Sequence, residues 1–176
     1  TVAIHLAIRA LGLKAGDEVL VPNFNGIYGI FALLYENIKP VLVDAEENYW
    51  NIDVTKIEEK INDKTKAILL THLYGHPCEM KPINELCKKY NLRLIEDSAE
   101  AHGAKYLGKP VGSLSDVSTY SFFANKIISS GEGGIVVTSN SDIANKLNYY
   151  RNQCFPLNGE RSFIHDDLGY NYRLTN

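Results

Sequence analysis

Short, continuously apolar runs alternate with segments of helical periodicity along most of the chain, and this alternation restricts the fold more than any other feature. Glu18 to Val21, Pro40 to Asp44, Lys66 to Thr71, Leu92 to Ile95, Val117 to Phe122 and Gly134 to Thr138 read as strands. Val2, Ala3, Leu6, Ala7, Ala10 and Leu11 recur at helical spacing, and Gly12 stops that helix. Further helices are expected over Ile27 to Glu36, from Asp53 to about Ile61, over Pro82 to Tyr90 and from Ser141 to about Arg151. Their caps, with that of the first helix, are Thr1, Asp53 and Ser141-Asp142. Asn152 to Asp167 reads as an irregular loop. Strands that are apolar on both sides are buried on both faces. They call for a mostly parallel sheet with helices on both faces, the α/β class.

A length of 176 residues suits one domain with a sizeable core. Hydrophobic residues make up 45% and charged ones 22%, which excludes a disordered chain. A formal net charge of -3, without a dense Lys/Arg run, argues against a nucleic-acid surface. No apolar stretch approaches the roughly 18 residues of a membrane span, and no signal peptide is visible. Cys78, Cys87 and Cys154 are an odd set without CxxC spacing, as expected of reduced thiols in a cytoplasmic protein. His72, His76 and Cys78 lie close together, but their spacing fits no strong zinc pattern, and no metal site is expected. The chain opens at Thr1 directly on a helical pattern and closes at Asn176 without a polar tail, so it reads as a piece of a longer protein.

Polar residues collect at the strand ends: Asp44, Thr71-His72, Asp97 and Ser121. Open α/β sheets bind ligands at that edge. Lys126 by itself reads as a solvated loop lysine. Its surroundings change the reading. It follows the strand that ends at Ser121-Phe122, precedes Gly131-Glu132-Gly133-Gly134, and belongs to the same edge as Asp97. These features answer the needs of pyridoxal 5'-phosphate (PLP): an amine to condense with its aldehyde, a carboxylate to keep its pyridine nitrogen protonated, and donors for its phosphate. Ser121 is one candidate donor. Thr1 and the free amides that open the first helix, from Val2 onward, are others. Each has a plain structural alternative: Asp97 as a helix cap, Thr1 as a simple N-cap, Glu100 as an acid facing water, and His102 as a core histidine with satisfied hydrogen bonds.

Several runs carry a resemblance in order along essentially the whole chain. They are Thr1 to Ile8, Gly16-Asp17-Glu18-Val19, Thr65-Lys66-Ala67-Ile68, His72-Leu73-Tyr74-Gly75-His76-Pro77, Glu96-Asp97-Ser98-Ala99-Glu100-Ala101-His102-Gly103, Ser121-Phe122-Phe123-Ala124-Asn125-Lys126 and the Gly131 to Gly134 cluster. Together they resemble the DegT/DnrJ/EryC1/StrS family of PLP-dependent sugar aminotransferases. The resemblance implies an aspartate aminotransferase-type fold. Residues 1–176 would form the central part of its PLP-binding large domain, without the N-terminal segment and the small C-terminal domain. It implies Lys126 as the catalytic lysine that bonds the cofactor, and Asp97 as the partner of the pyridine nitrogen. Glu100 would stand at the ring hydroxyl. Thr1, Val2 and Ser121 would contact the phosphate, and Asn171 and Arg173 would reach the active site of a neighbouring subunit. The implied reaction moves an amino group from L-glutamate to a nucleotide-linked keto-deoxysugar, in a homodimer.

One departure from the family pattern stands out. Relatives usually carry Thr and then an aromatic residue, which stacks on the ring, shortly after the proline of the second element. Here the run is Pro22-Asn23-Phe24-Asn25-Gly26-Ile27-Tyr28, with Asn25 and Gly26 at those places. Either Tyr28 or Phe24 takes over, or the cofactor is held differently. The competing readings are a sugar dehydratase of the same fold, in which relatives replace the lysine by histidine, and a non-catalytic relative that binds PLP or a nucleotide sugar. A dinucleotide-binding domain is excluded, since no G-x-G-x-x-G run follows the first strand.

Overall fold

The computed structural model describes residues 1–157 and 163–174. Residues 158–162 of the expected loop and the closing Thr175-Asn176 lie outside the described residues. In chain order the elements are α1 (Val2–Ala10), β1 (Glu18–Pro22), α2 (Tyr28–Tyr35), β2 (Lys39–Val43), β3 (Thr65–Thr71), α3 (Met80–Tyr90), β4 (Arg93–Asp97), β5 (Lys105–Tyr106), β6 (Lys109–Pro110), β7 (Val117–Ser121), β8 (Gly134–Val137) and α4 (Ser141–Arg151). Six strands form one sheet in the order β2-β1-β3-β4-β7-β8. Neighbours are parallel except for β7 and β8, which are antiparallel. The expected α/β class is thus observed.

The strand period of two divides the core into two layers. Val19, Val21, Ala67, Leu69, Ile95 and Val117 pack with α1, α2 and α4 on one face. Leu20, Val43, Ile68, Leu70 and Leu94 pack with Met80, Ile83 and Cys87 of α3 on the other. Each fully buried Leu or Ile contributes about 1.5–3 kcal/mol, so both layers are needed to hold the sheet.

Several local expectations need correction. The segment after Asp53 is not an α-helix but two 3-10 turns, Val54–Lys56 and Glu58–Lys60. Asp53 is nevertheless the cap expected: its Oδ1 accepts from the Thr55 amide at 2.9 Å and the Thr55 hydroxyl at 2.6 Å at the start of the first turn. The cap of α4 is Asn140 rather than Ser141-Asp142. Its Oδ1 accepts from the amides of Asp142 and Ile143 at 2.9 and 3.1 Å. Thr1 stands at the N-cap position of α1 without a capping bond from its side chain. The short antiparallel pair β5–β6 is an addition to the expected strands.

At the end of β4, Glu96 turns toward the α3 layer and is fully buried. Its Oε2 accepts from His72 Nε2 at 3.0 Å and from the Gly112 amide at 2.9 Å, and its Oε1 accepts from the Leu114 amide at 3.0 Å. His72 Nδ1 in turn accepts from the Cys78 amide at 3.0 Å, so the ring proton sits on Nε2. Gly112 has φ +88°, and a Cβ there would meet the Tyr120 hydroxyl. Burial pushes the Glu96 carboxyl up, but the bonds from His72 and Gly112 bring it net below its ordinary value. This carboxylate therefore ties β4 to the turn after β3 and to the turn before β7. In the full-length protein, Glu96→Ala leaves these buried donors unpaired and is expected to cost about 3 kcal/mol in urea unfolding at pH 7. Because the folded pKa is depressed, the wild-type advantage is full above the ordinary carboxyl range. It fades as pH falls through the folded value, which unfolding at stepwise lower pH will read.

Candidate active site

Parallel pairing brings Thr71, Asp97 and Thr119 into register across β3, β4 and β7, at the carboxyl edge of the sheet. All three fall on the strand alternation that faces α1. Asp97 and Thr119 line a cavity of about 1190 Å³ that opens between this edge, the first turn of α1 and the loop carrying Lys126. That volume exceeds the roughly 300–1,000 Å³ of ordinary small-molecule pockets. The cavity continues along β8 and α4, lined by Val137, Leu147 and Arg151, so only part of it lies at the strand edge.

Asp97 is 6% exposed and forms no ion pair among the described residues; its Oδ1 accepts one bond, from the Ala99 amide at 3.1 Å. Burial pushes this carboxyl above its ordinary value, with the Ala99 amide and the Lys126 charge pulling partly back. Thr119 Oγ1 is buried without a hydrogen-bond partner. Both atoms therefore face the cavity with unmet polar demand. A group that brings a cationic ring nitrogen to Asp97 fits such a wall, because it removes the penalty of a buried unpaired carboxylate.

Lys126 also lines the cavity, and its Nζ bonds Glu100 Oε1 at 3.3 Å. The other oxygen of Glu100 accepts from the Tyr74 amide at 2.8 Å. Glu100 thus stands behind the lysine rather than on the cavity wall, fixed by the turn after β3. The Lys126 loop is closed by the Phe122 amide on the Gly133 carbonyl and the Ser130 amide on the Phe122 carbonyl, both at 3.0 Å. Gly133 has φ +135°, a conformation that admits little except glycine.

Thr1 and Val2 reach the same cavity at the start of α1, whose first amides have no intrahelical acceptor. Ser121 lies there too. Its Oγ accepts from the Phe123 amide at 3.2 Å, which leaves the hydroxyl proton free to be donated. Asn171 and Arg173 line the cavity from the C-terminal run. The Arg173 guanidinium bonds Asn152 and Gln153 of its own chain. The run is pinned to α1 and α2: Glu36 accepts from His5 Nε2 at 2.7 Å, from the Tyr170 hydroxyl at 2.9 Å and from Arg9 at 3.2 Å.

His102 departs from the expected core histidine with satisfied bonds, since both ring nitrogens are buried without a partner. Its ring packs near Tyr120 and Phe122, with centroids 5.1 and 5.9 Å away. Burial and then the Lys126 charge lower its pKa. His72 and Cys78, two of the three weighed as loose metal ligands, are engaged in the Glu96 brace. His76 stacks on Tyr49 at 3.8 Å. Thr119 was not among the residues read from sequence. Its place two residues before Ser121 on one strand is the signal that points to it.

A family model described as the DegT/DnrJ/EryC1/StrS aminotransferase family matches residues 1–176. GDP-perosamine synthase of Escherichia coli O157:H7 is 49% identical over 176 residues, covering 100% of this chain and 48% of the relative. The chain thus spans about half the length of the curated relatives it matches. Among solved structures, an aminotransferase from Psychrobacter cryohalolentis superposes with a TM-score of 0.92 at 36% identity, over 98% of this chain and 46% of that one. A GDP-4-keto-6-deoxymannose-3-dehydratase with a trapped PLP-glutamate geminal diamine follows at TM-score 0.83 and 33% identity, over 87% of this chain and 41% of that one.

The raised Asp97 carboxyl has a consequence for the cofactor-free protein. Ionising it in the fold costs stability above the raised folded pKa. That cost disappears as pH falls below the ordinary aspartate value. Asp97→Asn is therefore expected to raise the thermal midpoint of the cofactor-free, full-length protein at pH 7 by a few degrees, about 1 kcal/mol. The gain should vanish in acid, as scanning calorimetry across pH will read.

Proposed function

The chain belongs to the DegT/DnrJ/EryC1/StrS aminotransferase family, and from that membership we propose that the full-length protein transfers an amino group from L-glutamate to a nucleotide-linked keto-deoxysugar, using PLP. The perosamine synthases among its relatives favour a GDP-linked sugar as the acceptor. The observation that carries this reading is the pairing of a buried carboxylate without an ion pair, Asp97, with an amine on the same cavity wall, Lys126. Residues 1–176 are, in this reading, the central part of the PLP-binding large domain.

Bound at this site, PLP supplies an aldehyde that takes up an amino group and a protonated pyridine ring that stores an electron pair. Asp97 holds the proton on the ring nitrogen, because a carboxylate in a dry site is stabilised by an adjacent cation. Lys126 would bond the cofactor, and its amine is the group placed to move a proton at the substrate carbon. Its side chain is 15% exposed, so that proton is shielded from exchange with bulk water. Glu100, expected at the ring hydroxyl, stands behind the lysine and would hold its amine near the cavity. Thr1, Val2 and Ser121 donate to the phosphate, where α1 adds the positive end of its dipole. The lysine also favours amino transfer over the dehydratase chemistry of the structural neighbour, because elimination-type relatives place histidine there.

The proposal extends to a homodimer in which Asn171 and Arg173 serve the neighbouring subunit. The outer face of α2 supports a partner: Phe31, Leu34 and Tyr35 are 43%, 51% and 59% exposed on a helix without a charged residue. A cytoplasmic location accords with Cys78, Cys87 and Cys154, all buried free thiols. Among the described residues no helix is long and apolar enough to cross a membrane.

Borohydride treatment of the PLP-loaded, full-length protein is expected to fix the cofactor mass on Lys126 and on no other lysine. Lys126→Ala should abolish amine transfer from glutamate to GDP-, UDP- and dTDP-linked keto-sugars alike, a loss of at least about a thousandfold. A mass shift elsewhere overturns the lysine assignment. Wild-type protein that aminates none of these sugars overturns the transferase reading.

A further inference from the structure

We propose that Tyr28 is the aromatic platform for the cofactor ring, and that residue 26 is glycine because the Tyr28 ring fills the space of any side chain there. The inference rests on the PLP reading above. Glycine at 26 has no backbone reason, since Gly26 is absent from the positive-φ positions of the chain. The reason is steric. A Cβ on Gly26 would lie 2.7 Å from Tyr28 Cε2 and 2.8 Å from Cδ2. The ring therefore lies directly on the bare Cα of residue 26.

The turn that carries this pair is fixed to the site. Asn25 Nδ2 donates to Thr71 Oγ1 at 2.5 Å, and Asn25 Oδ1 accepts from the Gly26 amide at 2.7 Å. Thr71 is the register partner of Asp97 on the adjacent strand. Asn25 thus links the turn to the strand beside the acid. Tyr28, the first residue of α2, lines the same cavity as Asp97, Ala99 and Lys126, and is 58% exposed.

Other aromatic rings nearby are engaged elsewhere or belong to the lysine's own loop. Phe24 packs against Trp50 with centroids 5.2 Å apart and does not line the cavity. Tyr120 donates to the Val111 carbonyl at 2.5 Å and packs near His102. Tyr172 stacks on Tyr170 at 4.9 Å. Phe123 also lines the cavity and is 46% exposed, but it belongs to the Lys126 loop itself. Tyr28 alone among them is an exposed ring on the cavity wall, brought by an element separate from the lysine and the acid. A pyridine ring held at Asp97 and Lys126 gains its aromatic contact from this residue.

The test is a set of PLP titrations of the full-length protein, read by cofactor absorbance and by quenching of protein fluorescence, with thermal unfolding of each cofactor-free variant alongside. Tyr28→Leu is expected to weaken PLP binding roughly three- to tenfold with an unchanged cofactor-free midpoint, and Tyr28→Phe to bind as wild type. Gly26→Tyr should weaken binding or lower the midpoint, because two rings compete for one space. Adding Tyr28→Ala to Gly26→Tyr should restore both. Unchanged PLP affinity in Tyr28→Leu, or a Gly26→Tyr protein that behaves as wild type, overturns the inference and leaves the cofactor reading standing. Wild-type protein that takes up no PLP overturns both.

Discussion

Glu96 and Asp97 are neighbours at the end of β4, and the two-residue period of a strand sends them to opposite faces of the sheet. Everything at the carboxyl edge follows from how differently the two carboxylates are treated. Glu96 is enclosed and answered by His72 and two backbone amides. Those bonds fasten the turns after β3 and before β7 to the end of β4. Asp97 is enclosed and answered by a single amide. The first acid makes the edge rigid, and rigidity is what allows the second to stay buried and unpaired without the strand end moving to relieve it.

The same logic extends across the sheet. Thr71 and Thr119 flank Asp97 in register. One is bonded to Asn25 and the other has no partner. A strand edge built only for stability would pair or expose these groups. Asp97 and Thr119 keep unmet demand on the face that carries the cavity, while on the opposite face Glu96 and His72 are fully satisfied. Ser98 and Ser118 extend that satisfied layer, with hydroxyls 2.9 Å apart. Stability is thus lodged on the α3 side and reactivity on the α1 side, separated by the thickness of one sheet.

Strands covered on both faces leave a strong trace in sequence, because every position must be apolar. Leu20, Ile68 and Ile95 were therefore legible as strand residues without a structure. Asp97 and Ser121 could be picked out as candidates by residue type and their places at strand ends, and Lys126 by the glycine cluster that follows it. What could not be read is set by pairing. Nothing local says that Thr119 stands beside Asp97, since their alignment depends on the register of β4 against β7. The cap at Asp53 was legible, but the segment it opens closes as two 3-10 turns and not as the expected α-helix. The unpartnered nitrogens of His102 likewise depend on which side chains surround it in three dimensions, which no spacing along the chain encodes.

The Asn25-Gly26 departure shows how a change that weakens a motif can preserve the site it describes. As a string, glycine in place of an aromatic residue reads as the loss of a ring. In space, the ring of Tyr28 lies over Gly26, and a helix start supplies what the turn gave up. The exchange constrains both positions at once. A side chain at 26 excludes the Tyr28 ring, and a small residue at 28 leaves the α2 side of the cavity wall without one. Two positions coupled in this way must change together, so a reading that scores them one at a time sees a defect at 26 and a neutral tyrosine at 28. The geometry instead makes them one unit, tied through Asn25 and Thr71 to the same strand edge that holds Asp97.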